Sequence, residues 1–400
     1  MKANGESVGS LAEDDNHGKV VSVSSATATA LRRSGLLRVE PEGTDGKWRL
    51  LPHGKVGAVR AGEVDVMVTP KVGIERLLFL LGYAANPGFR PDDVQGAADD
   101  DLLPLMAESL ARQAERALAA GVLQGYVTID DALMTVRGRP RLGDQLSRRP
   151  GMLLPLEVRH DEYSADIPEN RVLRSAMERM LTGPRLPAGT RARLIHLCGR
   201  LDGVGRLDPG RPPPHIRETR LNARYQPALR LAELVLTHQS LETGPGPLTT
   251  ASFVVDMARV FEDFVTTAMR EALAGRPGTT HGQYRTHLDA SRLVSVRPDI
   301  VHTVDGTPRI VLDAKYKVQK DGPGTDLYQM LAYCTTLNLK RGWLAYAQGP
   351  TTPRTYRIRN TGIEVVARPL DLATSPTELL KQISHLADEI WEPPSPPMRP

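Results

Sequence analysis

Two short acidic motifs in the last third of the sequence have the residue types for metal-dependent phosphodiester chemistry. The first is Pro298-Asp299 and the second, after a short hairpin, is Asp313-Ala314-Lys315. In a strand, Asp313 and Lys315 lie at i and i+2 and point to the same face, and Asp299 comes from the partner strand. Two carboxylates suit a hard cation such as Mg²⁺, which would neutralise a phosphodiester and lower the pKa of a bound water. Lys315 would orient that water or stabilise the charge that develops on the phosphorane.

The register of the hairpin decides whether the two aspartates can meet. A two-residue turn at Asp305-Gly306 would set Asp299 opposite Leu312, one residue away from Asp313. A slip of one residue moves a side chain to the other face of a strand. The motif therefore predicts a longer loop, or a β-bulge near Pro298, that brings the carboxylates together. Without this correction the segment would be an ordinary exposed hairpin with scattered charges.

The helices predicted on either side of the hairpin offer further polar groups. Gln329 and Tyr333 lie at i and i+4 on the following helix, where they could hold phosphate or the catalytic lysine, or simply be surface polar residues. Upstream, Glu262 falls in a helical row with Val265 and Met269. A carboxylate in an apolar row is costly unless it is paired or bound to metal, so Glu262 is a candidate third acidic group. The alternative is a glutamate at the helix edge that reaches solvent.

The elements that must position these residues predict an α+β protein of several domains. Its predicted parts are a disordered leader (1–18), an N-terminal β-rich mixed domain (19–150), a helical middle region (151–245), a C-terminal α/β domain of nuclease size (246–392) and a Pro-rich tail (393–400). Within the last domain, the segment 252–273 is predicted to be helical throughout, and a hairpin is predicted at Asp305-Gly306.

Composition excludes several classes of protein. The 400 residues are 40% hydrophobic and 24% charged, a globular balance, and the net charge of +4 permits nucleic acid as a partner without requiring it. The two cysteines, Cys198 and Cys334, lie far apart, which favours a reducing, cytoplasmic setting. The longest apolar stretch, 76–85, is too short to span a membrane. The ten histidines form no HxxxH or HExxH pattern, which argues against a zinc hydrolase.

The order of a Glu-bearing helix, Pro-Asp, Asp-x-Lys and Gln-x-x-x-Tyr resembles the PD-(D/E)xK nuclease superfamily, in the branch that carries QxxxY. Further blocks are similar to McrC, the nuclease subunit of McrBC modification-dependent 5-methylcytosine restriction systems. These blocks are residues 70–84, 125–142, 161–181 and 253–265, and the similarity extends over roughly residues 65–345 in the family's order.

The resemblance implies a site, a cofactor and a partner. Asp299, Asp313 and Lys315 would be catalytic together with Gln329 and Tyr333, and a Mg²⁺ or Mn²⁺ ion would be bound by Asp299, Asp313 and Glu262. The substrate would be DNA carrying a modified base. The N-terminal β-rich domain would dock on a hexameric McrB-like AAA+ GTPase and stimulate its hydrolysis. The sequence has no GxxxxGK[ST] motif, in agreement with a separate nucleoside triphosphatase.

Two other functions remain open from the residues alone. One is a RecB-like or repair nuclease that acts without a partner. The other is a protein whose nuclease site is vestigial and whose role is to activate the partner's GTP hydrolysis. The basic stretch 137–150 could meet DNA phosphates or an acidic partner, or it could be a solvated surface.

Overall fold

The structure is a computed structural model that describes residues 7–43, 46–85, 87, 102–183, 186–208, 211–242, 250–318, 324–349 and 352–391. The predicted tail (393–400) and the first six residues of the predicted leader lie outside this range. The elements up to residue 85 are β1 (Ser7–Ala12), β2 (Lys19–Ser22), α1 (Ser25–Arg33), β3 (Leu37–Pro41), β4 (Lys47–Pro52), β5 (Lys55–Ala61), β6 (Val64–Thr69) and α2 (Ile74–Ala85).

The remaining helices and strands fall into two groups, one in the middle of the chain and one in its C-terminal part. The middle elements are α3 (Leu102–Leu118), β7 (Gly125–Leu133), β8 (Arg139–Pro140), α4 (Leu142–Arg148), β9 (Leu156–Ser164), α5 (Pro168–Leu181), α6 (Ala188–Arg200) and α7 (Gln226–His238). The last elements are β10 (Gln239–Glu242), β11 (Thr250–Asp256), α8 (Met257–Ala272), β12 (Thr279–Gly282), β13 (Thr286–His287), β14 (Ser295–Val296), β15 (Ile300–Val304), β16 (Thr307–Val318), α9 (Gly324–Thr336), β17 (Arg341–Gln348), β18 (Arg354–Arg357), β19 (Glu364–Pro369) and α10 (Pro376–Trp391). The mixed α and β architecture agrees with the predicted fold class.

The chain divides into two compact units whose limits differ from the predicted domains. One, the discontinuous unit, contains residues 1–102 and 241–400, and the other, the inserted unit, contains residues 103–240. Strands β2 to β6 of the domain predicted over 19–150 therefore share a unit with the C-terminal segment, whereas β7 and β8 belong to the inserted unit. The predicted leader also has structure, because β1 pairs in parallel with β6.

The N-terminal sheet explains why the discontinuous unit needs both of its segments. Its strand order is β1-β6-β5-β11-β10. β11 pairs antiparallel with β5, from Thr250 opposite Ala61 to Asp256 opposite Lys55. Residues 252–256 are therefore strand, and the prediction of helix over the whole of 252–273 is wrong at its start. The helix begins at Met257 because the Asp256 side chain accepts a hydrogen bond from the backbone N–H of Arg259 and caps it.

A second contact joins the two segments through aromatic rings. Phe79 and Tyr83 of α2 lie with ring centroids 5.9 and 5.6 Å from Phe264 of α8. Phe264 is fully buried. Each such ring buries a large apolar area, so α2 depends on α8 for its packing.

Gly57→Ala should strongly destabilise this unit. Gly57 has φ +133°, and a Cβ there would lie 1.9 Å from the carbonyl oxygen of Phe253 on β11. We expect a loss of about 2 kcal/mol or more in the free energy of unfolding, seen as a lower Tm in thermal unfolding. Gly275→Ala is the control, since Gly275 has no such φ and a Cβ there would meet nothing within 4 Å. Equal Tm values for the two variants would contradict the close approach of β5 and β11.

The C-terminal sheet carries the motifs of interest. Its order is β12-β15-β16-β17-β19-β18, with β15 and β16 antiparallel and β16, β17 and β19 parallel. The side chains packed between this sheet and α9 form a buried cluster of Val301, Val311, Met330, Tyr333, Cys334, Leu337, Leu344, Tyr346, Ile363, Val365 and Ala367. Gly342 permits the close approach of α9, because a Cβ there would lie 2.4 Å from the sulfur of Met330.

The inserted unit has its own core and its own sheet. β9 pairs with β7 and β8, and α5, α6 and α7 contribute fully buried residues such as Leu173 and Leu231. Asn170 is completely buried and donates to the backbone carbonyls of Leu123 and Ala165, both at 2.7 Å. Among the described residues of the whole chain, no helix is long and apolar enough to cross a membrane.

Candidate active site

A β-bulge in the β15–β16 hairpin brings the two aspartates into register. The turn has the two residues Asp305 and Gly306, both at positive φ, and Val304 pairs with Thr307. The register then shifts by one, so that Ile300 lies opposite Leu312. Continued by one residue, this register sets Asp299 opposite Asp313. The structure therefore contains a β-bulge, as predicted, but the bulge does not lie near Pro298.

The bulged residue is Arg309, not a residue near Pro298. Thr303 pairs with Pro308 and His302 with Ile310, which leaves Arg309 without a partner in the ladder. Pro308 has no N–H to donate, so the antiparallel ladder is interrupted here at little cost. The Arg309 guanidinium lies 4.0 Å from the ring centroid of Trp391, a contact that holds the bulge against α10.

Asp299 and Asp313 are both buried. Their exposed fractions are 8% and 1%. The Asp299 carboxylate accepts a hydrogen bond from the backbone N–H of Ala314 at 2.9 Å, which ties β15 to β16 at the site. The Asp313 carboxylate faces the Lys315 ammonium, and no described backbone N–H donates to either of its oxygens. A buried carboxylate with so few donors is costly, so Asp313 needs a cation beside it.

Lys315 supplies one positive charge. Its ammonium forms an ion pair with the Asp313 carboxylate on the same face of β16, as the i, i+2 spacing predicts. Burial lowers the pKa of Lys315, but the charge and hydrogen bond of Asp313, together with the charges of Asp299 and Asp326, outweigh burial, and the net direction is upward. Lys315 is thus held as a cation beside the carboxylates.

One lysine does not neutralise the acidic cluster formed by Asp299, Asp313 and Glu262. Burial, followed by a hydrogen bond with Glu262, raises the pKa of Asp299 to about 7. Burial, followed by the charge of Asp299, raises the pKa of Asp313 to about 7. The two carboxylates therefore repel each other in a poorly solvated place, which is the electrostatic environment that a bound divalent cation relieves.

Glu262 of α8 lies beside Asp299 and contributes to the raised pKa of that carboxyl. It lies in the predicted row with Val265 and Met269, which are buried, whereas Ala258 is exposed. Within the part of the chain that the structure describes, no group of three or more His, Cys, Asp or Glu side chains is placed to hold a metal ion. Metal binding by Asp299, Asp313 and Glu262 together stays a prediction.

Gln329 and Tyr333 lie next to the cluster but contact each other and the backbone. The Gln329 amide donates to the Tyr333 hydroxyl at 2.7 Å, and that hydroxyl donates to the carbonyl of Arg297 at 3.3 Å. Burial, followed by the negative charge of Asp313, raises the pKa of Tyr333 to about 12. In this arrangement the pair positions the chain that leads to Asp299 and makes no hydrogen bond to Lys315.

Sequence reasoning missed two groups of residues at the site. Gln283 donates to the Asp299 carboxylate at 3.2 Å and sits at φ +51°. Asp326, in the first turn of α9, is buried and accepts from Lys317 at 2.8 Å and from Tyr346 at 2.6 Å. The sequence could have identified Lys317, which is the next residue after Lys315 on the same face. It could not have identified the acidic partner Asp326, because that contact depends on how α9 packs.

A further contact links strand β16 to the N-terminal sheet. Tyr316, between the two lysines of β16, donates from its hydroxyl to Glu13 at 3.1 Å. Glu13 also accepts from the backbone N–H of Lys71, whose ammonium lies 4.5 Å from the Tyr316 ring centroid. The strand that carries Asp313 is therefore held from both segments of the discontinuous unit.

Comparison with known proteins gives a family and a fold. The family model described as "McrBC 5-methylcytosine restriction system component" matches residues 50–347. Among solved structures, the chain is similar to one described as a refined half-complex from the tetradecameric assembly of Thermococcus gammatolerans McrB AAA+ hexamers with bound McrC. The identity is 20%, the match covers 89% of this chain and 86% of that chain, and the TM-score is 0.58. This likeness shows a shared fold.

Two other comparisons add no argument. The cryo-EM structure of the Thermococcus gammatolerans McrBC complex matches at 18% identity over 68% of this chain and 89% of that chain, with a TM-score of 0.41. No curated protein matches the sequence.

Proposed function

The chain belongs to the McrBC family of 5-methylcytosine restriction system components, and we propose that it is the DNA-cleaving subunit of such a complex. The reaction would be metal-dependent hydrolysis of a phosphodiester in DNA that carries a modified base. The observation that carries this proposal is the buried pair Asp299 and Asp313 with Lys315 beside it. Such a charge arrangement costs folding free energy, and a structural role alone does not account for it.

The residues present fit a Mg²⁺ or Mn²⁺ ion. Asp313 is buried and no described backbone N–H donates to its carboxylate oxygens, and the register continued from Ile300 and Leu312 sets Asp299 opposite it. Hard divalent cations take oxygen ligands of this kind. When bound, the ion would supply neutralisation of the phosphodiester and a more acidic water.

The chain's own residues would do the rest. Asp299 and Asp313 would hold the ion, with Glu262 beside Asp299 as the third acidic group. Lys315, kept protonated by Asp313, would place its positive charge where the phosphorane develops negative charge. Gln283 and the backbone N–H of Ala314 would fix the orientation of Asp299.

The partner we propose is an AAA+ GTPase of the McrB kind, located in the cytoplasm with this chain. A solved structure with the same fold is described as McrC bound to McrB AAA+ hexamers. Docking through the N-terminal β-rich region and stimulation of GTP hydrolysis belong to the same proposal. The alternatives, a stand-alone nuclease and a non-catalytic activator, differ from it in one measurement each: cleavage without partner, and GTPase stimulation without cleavage.

Divalent cations should control both activity and stability. Mg²⁺ or Mn²⁺ should support cleavage with the partner GTPase present, while Ca²⁺, which is larger and acidifies water less, should allow DNA binding without cleavage. Mg²⁺ should also raise the Tm of the DNA-free protein relative to EDTA, because it binds only the folded site. Asp313→Asn should remove most of this rise. Robust cleavage in EDTA would overturn the proposal.

A further inference from the structure

A two-stranded ribbon extends from the C-terminal sheet past the catalytic residues. Thr279 to Gly282 of β12 pair with Thr303 to Ile300 of β15. The same register continues through backbone hydrogen bonds from Gln283 to Asp299 at 2.7 Å and from Tyr284 to Pro298 at 2.9 Å. It continues again in Thr286 opposite Val296 and His287 opposite Ser295. We call residues 283–299 the arm.

The arm is firmly attached at its base. Asp299 itself is the last residue of its returning strand, and Gln283 at the start of the outgoing strand hydrogen bonds to the Asp299 side chain. Tyr284 and Val296 pack against the buried cluster under α9. Tyr333 donates to the carbonyl of Arg297. Whatever the arm contacts is therefore placed at a fixed distance from the two aspartates.

The tip of the arm is ordered by the Asp289 side chain and carries exposed apolar residues beside Arg292. The Asp289 carboxylate accepts from the backbone N–H groups of Leu293 at 3.2 Å and Val294 at 2.8 Å. This closes the turn, while Leu293 is 84% exposed and Leu288 and Val294 are 44% and 49% exposed. Exposed apolar side chains on a rigid tip cost free energy unless a partner covers them.

The base of the arm carries a pair of arginines that the fold does not use. The register places Arg285 opposite Arg297, and both side chains are exposed. Neither forms an ion pair with a residue that the structure describes. Like charges directly opposite each other in a ribbon are destabilising. An anion between or above them removes that cost, and Arg297 lies only two residues, ~7 Å along an extended strand, from Asp299.

We propose that the arm is a DNA-binding element that enters the major groove of the duplex beside the cleaved bond. Arg285 and Arg297 bind a backbone phosphate next to the one at the carboxylates, and the apolar tip lies against the base edges. The major groove of B-DNA admits a two-stranded β-ribbon, and arginines on backbone phosphates position such a ribbon. The inference rests on the proposed function, because it requires that DNA is the substrate.

The test compares arginines that differ only in place. Arg297→Gln and Arg285→Gln remove one charge each from the arm, and Arg359→Gln removes one exposed charge beyond β18, at the opposite edge of the same sheet. Binding of a 5-methylcytosine-containing duplex and of its unmethylated counterpart is measured with the full-length protein in Ca²⁺, over a range of salt concentrations. Cleavage with the partner GTPase is measured separately in Mg²⁺.

Each arm arginine variant should bind about ten-fold more weakly to both duplexes, with a salt slope that is shallower by about one. Cleavage at DNA concentrations below saturation should fall together with binding, because less DNA reaches the carboxylates. Leu293→Ala should weaken binding without changing the salt slope. Arg359→Gln should match the wild-type protein.

The outcomes separate the two proposals. If the wild-type protein binds and cuts DNA but the arm variants behave like Arg359→Gln, the arm inference is overturned and the proposed function stands. If the arm variants keep DNA binding but lose GTPase stimulation, the arm is a protein-docking element and the inference is again overturned. If the wild-type protein binds no duplex, both fall. If it binds but does not cut, the binding measurements still decide the arm.

Discussion

Asp313→Asn should abolish DNA cleavage while leaving the protein at least as stable as wild type. Asparagine keeps the size of the side chain but removes the charge that binds the ion and that pairs with Lys315. Loss of a single charge-stabilising group costs about 10²–10³-fold in rate in other enzymes, and loss of a metal ligand should cost no less. The measurement is single-turnover cleavage in Mg²⁺ with the partner GTPase present.

The stability half of this expectation follows from burial. Asp313 is 1% exposed, and burial, followed by the charge of Asp299, raises its pKa despite the nearby Lys315 ammonium. Removing such a charge relieves repulsion in the metal-free protein, so the Tm in EDTA should not fall.

Asp305→Asn is the matched control. It makes the same chemical change in the same hairpin, at an exposed turn residue with φ +50°, a conformation that asparagine adopts readily. Its cleavage rate should equal that of wild type. Wild-type cutting by Asp313→Asn would remove Asp313 from the site, and a loss of cutting by Asp305→Asn would point to the hairpin as a whole.

Local signals in the sequence were sufficient to find the hairpin and its chemistry. Asp305-Gly306 specifies a two-residue turn by itself, and the spacing of Asp313 and Lys315 fixes a common face. The bulge at Arg309 was misplaced because a bulge is defined by both strands, and two prolines, Pro298 and Pro308, offered similar interruptions. The register showed that the hairpin needs a β-bulge or a longer loop, but it did not show where the bulge lies.

Long-range pairing accounts for most of what sequence reasoning missed. β11 was read as helix because its partner, β5, lies far away along the chain, although Asp256 marked the true helix start as an N-cap. The contact of Asp326 with Tyr346 requires both the parallel pairing of β16 with β17 and the docking of α9. Neither the strand pairing nor the docking of α9 is encoded in the local sequence pattern, so no motif predicts the contact of Asp326 with Tyr346.

The division into units predicts which fragments of the chain fold. A fragment of residues 1–245, which the predicted domain limits suggested would be an independent docking module, should not fold cooperatively. It lacks β11, so β5 loses its antiparallel partner in the N-terminal sheet. It also lacks Phe253, Phe261 and Phe264, all fully buried.

The magnitudes make this loss decisive. Removing one buried phenylalanine costs about 3–5 kcal/mol, while a folded domain is stable by about 5–15 kcal/mol. Three such losses, with an unpaired strand in addition, exceed the stability that such a unit has.

Thermal unfolding of the 1–245 fragment, followed by circular dichroism, should show no cooperative transition from its N-terminal residues. A fragment of residues 103–240, which keeps the inserted unit whole, is the control and should unfold cooperatively. If residues 1–102 keep a cooperative transition in the 1–245 fragment that is absent from the 103–240 fragment, then β11 and α8 are not needed for the N-terminal sheet. In that case docking and cleavage can be separated by truncation. If residues 1–102 show no such cooperative transition, truncation cannot separate the two activities. Only full-length variants such as Asp313→Asn can then separate stimulation of the partner from DNA cleavage.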